Sequence, residues 1–461
     1  LRVNPKAFED VLSSLKVQNI KIIDTIANNF IVVDLIDPSW LDVVAKIPGV
    51  EYVSYERTFY PAAYGLDELF KRIIVSQDPI LSKLSSDELW DLGYRLKPAA
   101  VMPSFFVRAL QGIADITSAI ANPYNFISKI ASRIKPGPLG LPVLSKVDWA
   151  LVTYTRGLHK APPIEEAVIR NTLVAVVDSG IRYGPGFAQV DTIVSTALPS
   201  IPIDSVGHGS HVHSCAFGSP APSPYGRFVP VATAPFSIHV KIFSALGGCR
   251  ESTLMKVLNV LAEKGVKVVN MSLGAPQTDP ITEDPLVRLI SDIVKKHGTI
   301  FCVAAGNDGP DEWSINTPGV SPDVITVASL DWKTLNTASY SSRGPQGAYY
   351  EEHKDEFSSL VDKYGERLMK PDVAAIGGGV NSQVVAACSL WYDGYVDFVP
   401  DGWSPMCGTS QATPHVAGLV ALLVDRGVVK TADDVKSVMA KVSKEKTKDK
   451  GYGLLKFTYF T

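Results

Sequence analysis

"MCGTSQATPHVAG", residues 406–418, decides how the rest of the chain is read. It sets Gly408 and Thr409 directly ahead of Ser410 and then opens an apolar run, "SQATPHVAGLVALLV", of helical character. A nucleophilic serine has to stand at an exposed backbone turn, with a base in reach and donors aimed at the developing oxyanion. The small residues before Ser410 keep that approach uncrowded. A helix starting at Ser410 would place its unpaired N–H groups and positive dipole end beside the hydroxyl. Pro414 is expected within the first turn or so, where its missing N–H is tolerated. Ala412, Ala417 and Gly418 would let the helix run through the middle of a domain.

Working back along the chain, short apolar runs alternate with helical stretches from about residue 146. "TLVAVVDSG", "FSIHVKIF", "VKVVNMSLG", "TIFCVAAGN" and "DVITVASL" read as buried strands, with "STLMKVLNVLAEKG" and "DPLVRLISDIVKKHG" as helices between them. This alternation predicts an α/β domain, a mostly parallel sheet with helices on both faces. Three strands end in polar residues: Asp178, Ser272 and Asn307. In open parallel sheets the working groups gather at the carboxyl ends of the strands. Taken alone, a strand-end Asp or Asn is most often a turn former.

"GHGSHVHS", residues 207–214, supplies a base. Gly207 and Gly209 allow close backbone approach around His208. His208, His211 and His213 also raise a metal cluster. Residues i and i+3 share a helix face, but i+5 points elsewhere, and neither an H-E-x-x-H pattern nor a nearby carboxylate pair supports zinc.

Together these residues resemble the subtilisin-like serine peptidases, the subtilases. The match is carried by "VAVVDSGI" around Asp178, "GHGSHV" around His208, "VVNMSLG" (268–274), "VAAGNDG" (303–309), "TPG" (317–319), "KPDVAA" (370–375) and "GTSQATPHVAG" around Ser410. It covers about 146–461, with the motifs in the family's order of Asp, His, Ser. The resemblance implies that Ser410 is the nucleophile, His208 the general base and then acid, Asp178 its orienting partner, and Asn307 an oxyanion donor beside the backbone N–H of Ser410. It also implies that Ser272, Leu273, Gly274 and Ala304, Ala305, Gly306 wall the primary specificity pocket and pair with an extended substrate. Asn316 would fall near the pocket floor. "GSH" and "SQATPH" stand where "GTH" and "SMASPH" are commoner in the family, and "AAIGGG" lacks a proline usual after "KPDVAA".

Residues 1–60 read as helix, strand, strand, helix, strand; "LRVN" as a first strand makes this a split βαβ, a small α+β ferredoxin-like unit. "VEYVSYERTFY" is its last strand. Before a subtilase domain, such a unit looks like the family's inhibitory prodomain, acting as an intramolecular inhibitor with its tail along the active site. Residues 61–145 carry helical periodicity and end in the Pro/Gly-rich linker "KPGPLGLPVL", which departs from the usual short connection. The catalytic domain would then be 146–461. "SLWYDGYVDFVPDGW" is read as a hairpin insertion flanked by Cys388 and Cys407, which either pair across it or stay free. The acids of a second insertion (Glu351, Glu352, Asp355, Glu356) read as a solvated face rather than a calcium site.

Composition sets the remaining bounds. The chain has 461 residues, 46% of them hydrophobic, enough for one large domain and a smaller one. A net charge of −3 gives no global field for nucleic acid. No uncharged run approaches the ~20 apolar residues of a membrane span. Five cysteines are too few for a disulfide framework. The chain begins with Leu1 rather than Met, which reads as a processed product. The expectation is a secreted endopeptidase, extracellular or at the cell surface, made as a zymogen, acting on polypeptides and requiring no cofactor. Structural calcium is not indicated, and the oligomeric state is open. The competing reading is a structural or binding protein whose N-terminal unit blocks the cleft permanently.

Overall fold

The computed structural model describes residues 1–61 (without 19, 28, 36–39 and 55), 148–182, 186–187, 190–193, 204, 206–243, 248–388 and 402–461 (without 444). The helical stretch and linker read at 61–145, and nearly all of the hairpin insertion, lie outside them.

The N-terminal part forms β1 (Arg2–Val3), α1 (Phe8–Val17), β2 (Lys21–Ile26), β3 (Phe30–Asp34), α2 (Trp40–Ala45) and β4 (Val50–Tyr52), the element order the sequence suggested. Its antiparallel sheet runs β2-β3-β1-β4 over a core of Val3, Phe8, Val11, Leu15, Ile31 and Val44. The last strand differs from expectation. "VEYVSYERTFY" is not continuous: after β4 the chain leaves the sheet and forms β5 (Thr58–Pro61) elsewhere. β5 pairs antiparallel on one side with β12 (Cys249–Arg250) and on the other with β14 (Leu273–Gly274).

From residue 148 the chain gives β6 (Asp148–Leu151), α3 (Val152–Leu158), β7 (Val174–Asp178), β8 (Val190–Ile193), α4 (His208–Phe217) and the β9–β10 hairpin (Ala221–Ser223, Gly226–Phe228). Then follow β11 (Ser237–Lys241), α5 (Glu251–Glu263), β13 (Val268–Met271), α6 (Pro285–His297), β15 (Ile300–Ala304) and β16 (Ile325–Leu330). The last elements are α7 (Tyr349–Glu352), α8 (Lys354–Tyr364), β17 (Val373–Ile376), β18 (Ser382–Ala387), β19 (Trp403–Met406), α9 (Thr409–Asp425) and α10 (Ala432–Val442).

Seven strands make the central sheet, ordered β17-β16-β15-β13-β7-β11-β8 and parallel throughout. Strand residues alternate faces. Val174 and Val176 join α4 and α9 in one core, while Ala175 and Val177 join α5 and α6 in the other. Helices therefore cover both faces. Local chemistry sets their ends. Asp284 caps α6 by accepting from Val287 N, Pro285 takes the first turn, and Gly298 closes the helix at φ 65° after Lys295 and Lys296.

Two readings of the opening stretch shift slightly. α9 begins at Thr409, with Gly408 as its cap, and is buried from Thr409 to Leu423. Pro414 lies inside the helix rather than in its first turn. Lacking an N–H, it leaves the carbonyl of Ser410, four residues back, without a helical donor. Ser272 Oγ donates to that carbonyl instead, at 3.0 Å.

The five cysteines are thiols, so Cys388 and Cys407 are not bridged; Cys388 Sγ lies 3.3 Å from the Gly207 carbonyl. Glu351, Glu352, Asp355 and Glu356 are exposed on α7 and α8.

Candidate active site

β7 delivers Asp178 to the carboxyl edge of the sheet, and α4 opens with His208 directly against it. His208 Nδ1 donates to Asp178 Oδ1 at 2.7 Å, with both side chains fully buried. Asp178 Oδ1 also accepts from Ser179 N at 2.7 Å. Burial pushes the Asp178 carboxyl above the ordinary carboxylate range, with His208 pulling the other way. The Nδ1–carboxylate bond leaves His208 Nε2 as the ring's acceptor, and it has no hydrogen-bond partner among the described residues.

Two glycines make this approach possible. Gly207 turns the chain at φ 91°, and a Cβ on Gly209 would stand 2.5 Å from Gly180 O and 2.9 Å from Ser179 N. Gly209 N donates to Ser179 Oγ at 2.8 Å, tying α4 to the turn that follows Asp178.

α9 presents Ser410 one residue into the helix. Its Oγ donates to the Ser272 carbonyl at 3.0 Å rather than to His208. Ser272, expected only as a pocket wall, thus touches Ser410 twice, through its carbonyl and through its hydroxyl. Asn270 supports it by donating Nδ2 to Ser272 Oγ at 3.0 Å. Asn307 follows β15, and its Oδ1 accepts from Thr409 N and Thr409 Oγ1, both at 3.0 Å. That tether fixes the Asn307 side chain against the residue before Ser410.

Ser272 immediately precedes β14, which carries Leu273 and Gly274, and Ala304, Ala305 and Gly306 lie at the end of β15. Asn316 lies between them. A Cβ on Gly274 would meet Asn316 Cβ at 2.8 Å, and one on Gly306 would meet Asn316 Nδ2 at 2.7 Å. Glycine on both sides is therefore what admits the Asn316 side chain. The residue also hydrogen-bonds through its backbone, Asn316 N to Ala305 O at 2.9 Å.

The three histidines of the metal reading do not converge. His211 Nε2 donates toward the Val384 and Ser404 carbonyls, both at 3.1 Å, and His213 faces Ser237 and His239. Among the described residues no group of three or more His, Cys, Asp or Glu is placed to hold a metal ion.

The sequence reading missed two supports. Asp204 accepts from the backbone N–H groups of Val206, Gly207 and Ser210 and from Ser179 Oγ, so it holds the start of α4 and the turn after β7 together. An acid ahead of a helix start is a legible cue, but here it lies in a segment with no strand or helix pattern. The second support is a histidine chain behind the site. Gly180 N donates to His239 Nε2 at 3.2 Å, so the His239 proton sits on Nδ1 and faces His213 Nδ1 at 3.3 Å. His213 then carries its own proton on Nε2, donated to Ser237 Oγ at 3.1 Å. Burial lowers the pKa of both rings, that of His213 to about 3, which keeps them neutral. No sequence motif links residues 180, 213 and 239.

Comparison with known proteins follows the same lines. The family model described as "Subtilase family" matches residues 170–454. Serine protease AprX of Bacillus subtilis is 32% identical over 307 residues, 61% of this chain and 62% of that protein. Pyrolysin of Pyrococcus furiosus is 32% identical over 201 residues, 40% of this chain but 13% of its own length. Subtilisin of Bacillus sp. (strain TA39) is 27% identical, covering 54% of this chain and 55% of that protein. The chain thus spans under two thirds of the length of each of these relatives.

Proposed function

The chain belongs to the subtilase family, and from that premise we propose that it is a serine endopeptidase working through Asp178, His208, Ser410 and Asn307. The observation that carries the proposal is the buried 2.7 Å bond between His208 Nδ1 and Asp178, which leaves His208 Nε2 as an unpartnered base among the described residues.

The steps follow from the geometry. Ser410 Oγ turns from the Ser272 carbonyl toward His208 Nε2, passes its proton there and attacks the scissile carbonyl carbon. The oxyanion that forms is met by Asn307 Nδ2 and the backbone N–H of Ser410. Loss of one such donor costs on the order of 10²–10³ in turnover, a magnitude known from subtilisin itself. His208 returns the proton to the leaving amine, the C–N bond breaks and an acyl-Ser410 ester remains. A water deprotonated by His208 then releases the acid product and restores the serine. Asp178 stabilises the imidazolium throughout without taking its proton. These side chains complete the cycle with no cofactor.

The N-terminal domain is proposed as an intramolecular inhibitor, making the chain a zymogen. β5 lies between β12 and β14 as an added antiparallel strand, the way an extended polypeptide substrate would bind. A secreted, extracellular or cell-surface setting is proposed with it, in keeping with a maturation step. No helix among the described residues is long and apolar enough to cross a membrane. The same strand pairing favours one other reading, a binding protein with the cleft permanently filled.

A fluorophosphonate probe separates the two. The expected result is a labelled band in the wild type and none in Ser410→Ala, with processing to a smaller catalytic band. A stable, unlabelled full-length band would refute the peptidase.

A further inference from the structure

β5 brings with it a side chain that the catalytic machinery does not use. Arg57, one residue before β5, inserts its guanidinium among carboxylates of the catalytic domain. Nε donates to Glu251 Oε2 at 3.2 Å, and Nη2 bonds Glu251 Oε1. Nη1 and Nη2 reach Asp284 Oδ2 and Oδ1 at 2.6 and 2.8 Å, and Asp279 lies 3.7 Å from Nη1. The backbone joins in: Arg57 N donates to Glu251 Oε2 at 3.2 Å, and Glu251 N to Arg57 O at 2.9 Å. Side-chain exposure is 7% for Arg57, 4% for Glu251 and 0% for Asp284.

The cation and the anions come from different parts of the chain. Glu251 opens α5 and Asp284 caps α6, both rigid parts of the catalytic domain, whereas Arg57 belongs to the segment proposed to leave. Asp284 also accepts from Thr317 Oγ1 at 3.1 Å, which couples the pocket to the residue after Asn316. Two buried carboxylates that lose their cation keep their desolvation cost and lose its compensation. Any polypeptide that follows the path of β5 therefore gains by carrying a cation there. Arginine fits best, because its planar fork can meet both carboxylates at once where an ammonium is a point charge.

The strand register says where that cation falls. Thr58 pairs with Arg250, Phe59 with Cys249, Tyr60 with Gly274 and Pro61 with Leu273. The next residue on β14's side is Ser272, whose carbonyl takes the Ser410 hydroxyl. Arg57 stands four positions before Pro61, hence five before the strand position that faces Ser272.

We propose that Glu251, Asp284 and Asp279 form a substrate subsite selecting polypeptides with an arginine five residues ahead of the residue facing Ser272, and that Arg57 occupies this subsite as a stand-in. The inference rests on the peptidase reading above and adds its substrate class.

The test uses the full chain, incubated until fluorophosphonate labelling is maximal, and fluorogenic peptides of the sequence YERTFYPAAY with Arg, Lys or Met at the third position. The expected kcat/KM favours Arg over Met by on the order of 30-fold or more, with Lys between them. In Glu251→Gln the Arg preference collapses to within about threefold, while a cooperative thermal transition by circular dichroism shows that the variant is folded. Equal cleavage of the Arg and Met peptides by the wild type overturns the subsite and leaves the peptidase standing, and this comparison needs no variant. An undiminished Arg preference in Glu251→Gln overturns it too. If no peptide is cut and no probe is bound, the subsite falls with the peptidase.

Discussion

Lowering the pH should unfold this protein through its buried histidines. His159, His211, His213, His239 and His415 are all fully buried. Their ring nitrogens are engaged as neutral imidazoles. His159 Nδ1 faces the Leu455 carbonyl at 2.6 Å while its Nε2 accepts from Ile376 N at 3.2 Å, so a second proton would set two N–H groups against each other. His415 Nδ1 faces the Gln411 carbonyl and its Nε2 faces Thr155 Oγ1, both at 2.8 Å. Burial lowers the pKa of His159, His211 and His213 to about 3 and of His415 to about 4; that of His239 also falls. The unfolded chain takes up protons near pH 6.5, where the folded one does not. Stability is therefore whole above about 6.5 and drains as the pH falls toward the folded values. At pH 5.5 each of the four with a folded value near 3 or 4 has cost about 1.4 kcal/mol, together about 6 kcal/mol, with His239 acting in the same direction, against a typical total of roughly 5–15 kcal/mol. Asp178 and Glu251, both raised by burial, oppose the trend. The assay is tryptophan-fluorescence melting of Ser410→Ala, which avoids self-digestion, at pH 7.5 and 5.5. The midpoint should fall by at least about 10 °C. A shift of less than about 3 °C would refute the neutral, donor-matched state of these histidines.

Three further outcomes are expected. Gly209→Ala places a methyl 2.5 Å from Gly180 O and forces α4 away from the turn after Asp178, so kcat should drop at least about tenfold with circular dichroism little changed. His239→Phe removes the acceptor of Gly180 N–H and the partner of His213 Nδ1; two buried groups left unpaired cost about 2–6 kcal/mol, read as a lowered melting midpoint, and an unchanged midpoint would contradict the histidine chain. Asp372→Asn leaves the buried Lys370 (2.7 Å), Lys446 (3.0 Å) and Lys436 (3.8 Å) without their shared anion and should cost about 3–5 kcal/mol in a denaturant titration.

The sheet and the candidate site residues are legible because both are written locally. Five of the seven strands of the central sheet are short apolar runs between turn signals, and alternation with amphipathic helices leaves few other topologies. Asp178, His208, Asn307 and Ser410 each sit at the end of a strand or the start of a helix, inside a run of small residues that marks close backbone approach. Pro414 was placed one turn too early because periodicity alone does not show that Ser272 can answer the carbonyl it orphans.

Three features depended on the tertiary structure. The break in "VEYVSYERTFY" is invisible in its alternation, since β5 is stabilised by β12 and β14 from far along the chain rather than by β4. Arg57 reads as an ordinary surface charge until the fold encloses it with Glu251 and Asp284, 194 and 227 residues away. His213 entered only as a candidate ligand and His239 only as part of a strand, and their protons are assigned because the fold aims Gly180 N–H at one ring and Ser237 at the other. Propensity and pattern act over a few residues, so they set the elements and the motif chemistry. Partner choice for a buried charge or ring nitrogen is set by groups that meet only after the sheet has assembled.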